Sequence, residues 1–296
     1  MYSISNLRMA IQKSGRLGEK CRDLLEKCGI TFEGQKNQLF SRSMDYPLDL
    51  MLLRDDDIPA LVRDQVCDLG IVGYNELKEK VLDKDGAENV EILMNLGFGR
   101  CRLSLAVPED TNFENLESLR GKKIATSYPV ILDKYMSAKG INCDIVEISG
   151  SVEVSYAIGF ADAICDLVST GATLQSNGLK EVLPILESEA VLVRNARKLS
   201  DEKEELITRL MDRIDGVLKA KRARYVMMNA PRASVDDIIQ IIPGMENPTI
   251  MPLGQDGDKV AIHAVAPDNV FWDTMEKLKQ AGASSILVVP IEKIIE

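Results

Sequence analysis

Histidine is almost missing from this chain: one residue, His263, in 296. Cysteine offers no substitute. The six thiols, Cys21, Cys28, Cys67, Cys101, Cys143 and Cys165, are scattered and form no Cys-x-x-Cys pair. A Cys/His metal cluster is therefore not indicated, and the thiols read as small core residues in a reducing compartment. No stretch reaches the ~18 apolar residues that a membrane span needs. The start, Met-Tyr-Ser-Ile-Ser-Asn-Leu-Arg, has no basic region leading into an apolar run. A cytoplasmic protein with no membrane partner is expected. Positive charge is also in short supply, with 36 Lys and Arg against 46 Asp and Glu and a net charge of −10. Such a surface repels nucleic-acid backbones, so no nucleic-acid partner is expected. Any polyphosphate ligand must be met by a few placed cations and backbone amides.

What is present is ordinary globular material, 45% hydrophobic and 28% charged, in a chain long enough for two or three domains. Residues 7–11 read as a strand, 17–28 as a helix stopped by Gly29, 48–53 as a strand, and 67–72 as another. Asp55, Asp56, Asp57 and Pro59 suit the first turn of a helix between the last two. This βαβαβ order predicts a parallel sheet flanked by helices. A second α/β unit starts near residues 97–102, with strands at 101–107, 123–126, 143–148 and 163–168 and helices at 130–139 and 152–160. Two such lobes joined by crossing strands leave a cleft at the carboxyl ends of their strands, where open α/β folds bind ligands. A long helix at 201–223, capped by Ser200, precedes a tail of strand 225–229, helix 234–242, strands 249–253 and 259–265, helix 269–281 and strand 285–290. That βαββαβ order is ferredoxin-like and suits an effector or assembly module. Within it His263 reads as a packed or edge-strand residue, and Phe271 and Trp272 as anchors of the last helix.

The segment with most chemistry is 162–174, an apolar strand interrupted by Asp166 and followed by Ser169, Thr170, Gly171, Ala172 and Thr173. Small side chains let a phosphate approach the backbone, and N–H groups at a helix start point toward it. Asp166 could hold ribose hydroxyls beside that cradle; a plain N-cap is the competing reading. Lys13, Gly15 and Arg16 follow the first strand and place two cations on a βα turn. Arg54, Arg100 and Arg102 are further cations, each open to a salt-bridge reading. Asp68 and Gly73 flank the strand before Asn75, with a tight turn as the alternative. Glu153 sits in a first turn behind Gly150 and Ser151, where capping alone would explain it. No Gly-x-x-x-x-Gly-Lys is present, which argues against a P-loop nucleotidase.

The stretch ADAICDLVSTGATLQSNGL resembles the phosphoribosyl-pyrophosphate signature of the ATP phosphoribosyltransferases. QKSGRL, LRDDDIPALV, CDLGIVG, CRLSLAVP, GKKIATSYP and GSVEV are similar to the same family. In the tail, PGMENPTIMPL and GASSILVVPIEKIIE resemble the regulatory domain of its long form. The resemblance implies an α/β fold with a two-lobed, periplasmic-binding-protein-like catalytic core and a C-terminal ferredoxin-like regulatory domain. It implies lobe one at 1–97 and 180–222, lobe two at 98–179, and a histidine-binding domain at 223–296. Pyrophosphate would be displaced from C1 of the ribose by N1 of ATP, with Mg²⁺ on the pyrophosphate.

The same resemblance implies that Asp166 takes the ribose hydroxyls and Ser169 to Thr173 the 5-phosphate, with Glu153 near the ribose. Lys13, Gly15, Arg16, Arg54, Asp68, Gly73 and Arg100 would serve ATP or its phosphates, with no residue acting as an acid or base. Histidine would bind at Asn229, Met245, Asn247, Thr249 and Ser285, and histidine and AMP would inhibit a homo-oligomer, dimer to hexamer. Asn229 departs from relatives that carry an acidic residue there, and Gly73-Tyr74-Asn75 departs from a glycine–acid pair. Two other readings compete: a solute-binding module, which has no use for the phosphate cradle, and a DNA-binding sensor, which the charge opposes.

Overall fold

The computed structural model describes residues 6–32, 38–84, 86–242, 244, 247–254, 257–268 and 272–295. Met245 and Phe271 lie outside the described residues. The chain forms two compact units, one of Met1–Asp23 with Ile30–Leu206, the other of Leu24–Gly29 with Ile207–Glu296. No described helix is long and apolar enough to cross a membrane.

In the first unit the chain lays down β1 (Leu7–Gln12), most of α1 (Gly15–Lys27), β2 (Phe40–Arg42), β3 (Leu48–Leu53), α2 (Ile58–Arg63), β4 (Leu69–Gly73), α3 (Tyr74–Leu77) and β5 (Val90–Asn95). It crosses into β6 (Cys101–Pro108), β7 (Lys123–Thr126), α4 (Pro129–Ala138), β8 (Asp144–Glu147), α5 (Val152–Ala157), β9 (Ala163–Val168), α6 (Ala172–Ser176) and β10 (Leu179–Ser188). It then returns as β11 (Ala190–Asn195). The first sheet has the order β2-β3-β1-β4-β11-β5 and the second β10-β6-β9-β7-β8. β1 lies between β3 and β4, parallel to both, and Leu7, Met9, Ala10 and Ile11 are fully buried, as a strand covered on both faces should be.

Two lobes are thus present, but the boundary at 179/180 needs correction. β10 pairs antiparallel with β6 along its whole length, from Leu179 opposite Pro108 to Ser188 opposite Cys101, so the second sheet extends to Ser188. Its sequence, LKEVLPILES, hides this: it is an edge strand with two register shifts, and an edge is where a sheet tolerates Pro184. The two crossings are laced together, Leu96 N donating to Ala190 O and Ala190 N to Phe98 O, each at 2.9 Å. α1 approaches the end of β1 so closely that a Cβ on Gly18 would lie 2.3 Å from the Gln12 carbonyl oxygen, so only glycine fits. That approach fixes where the first turn of α1 sits over the carboxyl end of the sheet.

The second unit contains most of α7 (Asp201–Lys221), then β12 (Ala223–Pro231), α8 (Val235–Ile241), β13 (Thr249–Leu253), β14 (Lys259–Pro267), α9 (Trp272–Gln280) and β15 (Ser284–Pro290). Lys203 N donates to Ser200 Oγ, as the sequence suggested for the start of α7. The antiparallel sheet β13-β14-β12-β15 carries the expected βαββαβ order. Its core alternates along the strands: Val226, Met228 and Ala230 of β12 pack with Val260, Ile262 and Ala264 of β14, Ile238 of α8 and Leu278 of α9. His263 lies on an interior strand, not an edge, and Tyr225 Oη sits 2.8 Å from its Nδ1. Trp272 corrects the sequence reading: it is 79% exposed, and Leu278 anchors α9 instead.

Candidate active site

A cavity of about 370 Å³ opens where the carboxyl ends of β1 and β4 face the end of β9. From the first lobe Gln12, Arg16, Lys20, Asp55, Gly73 and Glu76 line it, and from the second Tyr128, Leu167 and Ser169, with Arg100 at the crossing. The sequence thus placed Arg16, Gly73, Arg100 and Ser169 on one wall or another of the same space. Gln12 Nε2 donates to Asp55 Oδ2 at 3.0 Å, which ties the first βα turn to the loop after β3.

Asp166 is the most perturbed acid near this space. It sits near the end of β9, and its Oδ1 accepts the Leu167 N–H at 2.7 Å. Burial pushes its carboxyl up to about 6, the Leu167 hydrogen bond opposes this, and the charge of Glu153 adds to it. Glu153 therefore lies within electrostatic reach of Asp166, although 13 positions separate them in the sequence. After β9 the chain turns through Ser169 and Thr170 to Gly171, whose φ of +81° suits glycine, and then opens α6. Thr170, Ala172 and Thr173 are exposed there. The loop presents hydroxyls and backbone amides beside a carboxylate with no ion pair among the described residues, an arrangement suited to a sugar phosphate.

Other sequence candidates fall elsewhere. Lys13 is exposed on the turn before Gly15, and its N–H donates to Leu53 O at 2.7 Å. Arg54 does not line the cavity; its guanidinium grips Asp56 through two hydrogen bonds, at 3.1 and 3.0 Å. Arg100 pairs with Glu189 at 3.3 Å and is mostly exposed. Arg102 is held by Glu181 through both carboxylate oxygens at 2.5 Å and reaches Ser169 O at 3.5 Å, so it buttresses the loop from behind. Asp68 is a correction. It precedes β4, at the amino edge of a parallel strand, and is buried with its Oδ2 accepting Arg8 N–H at 2.8 Å and Lys203 Nζ at 2.7 Å. Ligand-facing loops lie at the opposite edge, so Asp68 is structural.

Sequence reasoning missed a polar network that joins the lobes. Tyr128 Oη donates to Glu76 Oε1 at 2.7 Å, and Asn75 Nδ2 lies 3.1 Å from the same hydroxyl. Ser188 Oγ donates to Asn75 Oδ1 at 2.7 Å and accepts Asn75 N–H at 3.0 Å. Burial pushes the Glu76 carboxyl up against the opposing Tyr128 hydrogen bond. Burial, reinforced by the Glu76 charge, pushes the Tyr128 hydroxyl far above its ordinary range, so it remains a donor. Further along, Glu79 is buried and its two oxygens accept Val130 N–H and Ile131 N–H, each at 3.0 Å. Pro129 opens α4, so these are the first N–H groups the helix has to offer. Glu76 and Glu79 stand about fifty positions from their partners, a separation no local motif encodes.

In the second unit the proposed histidine residues do not all meet. β12 and β15 bring Asn229 opposite Ser284, next to Ser285, whose φ of +51° marks an irregular strand start. Asn247 and Thr249 lie by β13 at the far edge of the same sheet, both exposed. Met245 lies outside the described residues.

Comparison with known proteins follows the same division of the chain. The solved ATP phosphoribosyl transferase (HisG:HisZ) complex from Thermotoga maritima matches at TM-score 0.59 and 27% identity, covering 71% of this chain and 98% of that one. A histidine kinase sensor domain with similarity to periplasmic binding proteins matches at TM-score 0.47 and 14% identity, over 71% of this chain and 89% of that one. The alkanesulfonate-binding protein SsuA from Xanthomonas axonopodis pv. citri matches at TM-score 0.44 and 14% identity, over 73% and 74%. The profile of "HisG: ATP phosphoribosyltransferase" matches residues 54–216, and that of "HisG, C-terminal domain" matches residues 220–293. With a two-lobed α/β core followed by that separate C-terminal domain, the chain belongs to the ATP phosphoribosyltransferase family of histidine biosynthesis, in its long form.

Proposed function

We propose that this pentosyltransferase joins N1 of ATP to C1 of phosphoribosyl pyrophosphate, giving phosphoribosyl-ATP and pyrophosphate, and that histidine inhibits it as a feedback signal. The observation that carries the reading is Asp166, a half-buried carboxylate with no ion pair among the described residues, in the strand that leads into the Ser169–Thr173 loop, whose Ser169 lines a cavity shared with Arg16, Lys20 and Arg100. Asp166 holds the ribose 2- and 3-hydroxyls, with Glu153 beside it, and the loop holds the 5-phosphate. Arg16, Lys20 and Arg100 neutralise the phosphates of the two substrates from across the cavity, and Lys13 adds charge at its rim.

The chemistry asks for placement more than for an activated nucleophile. As pyrophosphate departs, positive charge gathers on the ribose, and fixed groups must hold the two partners in line. Magnesium enters on the substrate's pyrophosphate, where it would stabilise the charge of the leaving group. In the tail, Asn229 and Ser285 form the chain's nearest approach to an amino-acid site, with Asn247 and Thr249 at the other sheet edge. AMP competes for the ATP side of the cavity, the active form is a homo-oligomer up to a hexamer, and the enzyme works in the cytoplasm.

The test is pyrophosphate release from ATP, phosphoribosyl pyrophosphate and Mg²⁺, with and without histidine. Turnover that histidine suppresses, and that Asn229→Ala makes insensitive while the basal rate stays within about twofold, is the expected result. No turnover from folded protein would sink the reaction, and equal inhibition of both proteins would sink the effector site.

A further inference from the structure

The reaction proposed above leaves two cavity carboxylates, Asp55 and Glu76, without a task. Glu76 lines the space, and its Oε1 receives Tyr128 Oη at 2.7 Å and Asn75 Nδ2 at 3.4 Å. Both donors are neutral. Among the described residues no Lys or Arg forms an ion pair with Glu76, unlike Glu181 with Arg102 or Glu204 with Arg194. A half-buried carboxylate whose hydrogen-bond donors are both neutral is costly to ionise. Its second oxygen, Oε2, takes no hydrogen bond from any described residue and is left to the cavity.

We infer that Glu76 accepts a hydrogen bond from the 6-amino group of the ATP adenine and stabilises the positive charge that appears there as N1 attacks, which makes it a catalytic residue. The inference rests on the phosphoribosyl transfer proposed above. When the N1 lone pair forms the bond to C1, the C1–O bond breaks and its electron pair leaves with pyrophosphate. The adenine becomes an amidinium-like cation, its charge shared between N1 and the 6-amino nitrogen. A carboxylate on that amino group interacts weakly with neutral ATP and strongly with the cation, so its effect grows toward the transition state. The same oxygen can take one amino proton and pass it to solvent, leaving a neutral imino product.

The other acids of the site are less suited. Asp55 is held by Gln12 at 3.0 Å on the wall that carries Arg16 and Lys20, and Asp166 stands on the ribose side with Leu167 N–H on its Oδ1. Glu76 feels the charge of Asp55, and Tyr128 feels the charge of both Glu76 and Asp166. Tyr128 thereby links the carboxylate assigned to the nucleophile with the one assigned to the sugar. Its hydroxyl also holds Oε1 in place, which aims Oε2 at the incoming base.

The experiment compares wild type and Glu76→Gln with two nucleotides, ATP and purine riboside triphosphate, which keeps N1 but lacks the 6-amino group. The glutamine retains an oxygen for Tyr128, so the cavity wall is preserved. With ATP the variant should lose about 30-fold in kcat with KM changed less than about threefold. With purine riboside triphosphate the loss should stay within about threefold, because there is no amino group to serve. The acid limb of the kcat profile, where Glu76 takes up a proton, should disappear in the variant. Equal losses with the two nucleotides, or an unchanged rate with ATP, would overturn the inference. A wild type that turns over neither nucleotide would instead reject the underlying reaction. If Glu76→Gln proves unstable, Tyr128→Phe supplies the second reading: releasing Oε1 should lower the ATP rate more than the purine riboside rate, and equal effects count against the inference.

Discussion

At the amino edge of the first sheet, acids are matched to cations. Arg194 grips Glu204 through both carboxylate oxygens, at 2.8 and 2.7 Å, and holds its carboxyl down to about 2. Lys203 meets Asp68 at 2.7 Å in the same neighbourhood. Around the cavity the reverse holds. Asp166 is pushed up to about 6 by burial, and burial also pushes Glu76 up, with neutral hydrogen-bond donors and no ion pair among the described residues. Both regions withdraw carboxylates at least partly from water, but one set meets cations within the fold and the other has no ion pair among the described residues. The first set contributes stability and the second subtracts from it, as expected where binding groups are held ready.

Four substitutions can break or sharpen that contrast. The largest effect belongs to Asp166→Ala, which should raise the KM for phosphoribosyl pyrophosphate by about 100-fold while circular dichroism shows an intact fold. Unchanged kinetics would move Asp166 out of the site. Asp68→Asn should cost about 3 kcal/mol in urea unfolding, because Lys203 keeps its buried charge without a partner, and should leave KM unchanged below the melting transition. A large KM effect in folded protein would return Asp68 to the cavity.

Asp166→Asn should stabilise the unliganded chain by up to about 2 kcal/mol near pH 8. The sign follows from the raised carboxyl: the folded chain binds this proton more tightly, so wild type loses stability as pH rises from about 4 through about 6. The gap in Tm should therefore open above pH 6 and close below pH 4. The smallest effect is Glu204→Gln, a loss of about 1 kcal/mol near neutrality once solvent screening at the carboxylate is allowed for. Here the lowered carboxyl makes the contribution vanish as pH falls from about 4.5 to about 2, the opposite direction. Parallel pH profiles for these last two variants would erase the distinction between the regions.

Asp166 stands out in the sequence because an acid inside an apolar strand, followed by small and hydroxyl residues, has few bland uses. Asp68 carries a similar signature, an acid beside an apolar run with glycines, and misled. Strand polarity separates the two: a residue before a parallel strand lies at its amino edge, away from the ligand loops. Glu76, Glu79 and Tyr128 were illegible as site residues since each depends on a partner in the other lobe, with no spacing rule to announce it. The strands β1, β3, β4, β6, β7 and β9 announced themselves by apolar runs. β10 did not, because a bulged edge strand with a proline and three glutamates or serines at intervals lacks any clean alternation.

The hydrogen-bonded crossings have a mechanical consequence. A body hung from one strand of chain can swing and twist freely. Here the second lobe is attached by two strands bound side by side at Leu96, Phe98 and Ala190, and again, remote in sequence, where Glu79 holds the start of α4. A rigid plate fastened at two places keeps only rotation about the line joining them. Any opening of the cleft that preserves these two fastenings while releasing the Tyr128–Glu76 hydrogen bond is therefore a one-axis tilt, like a door on its pins, and it returns Tyr128 and Ser169 to the same position at each closure.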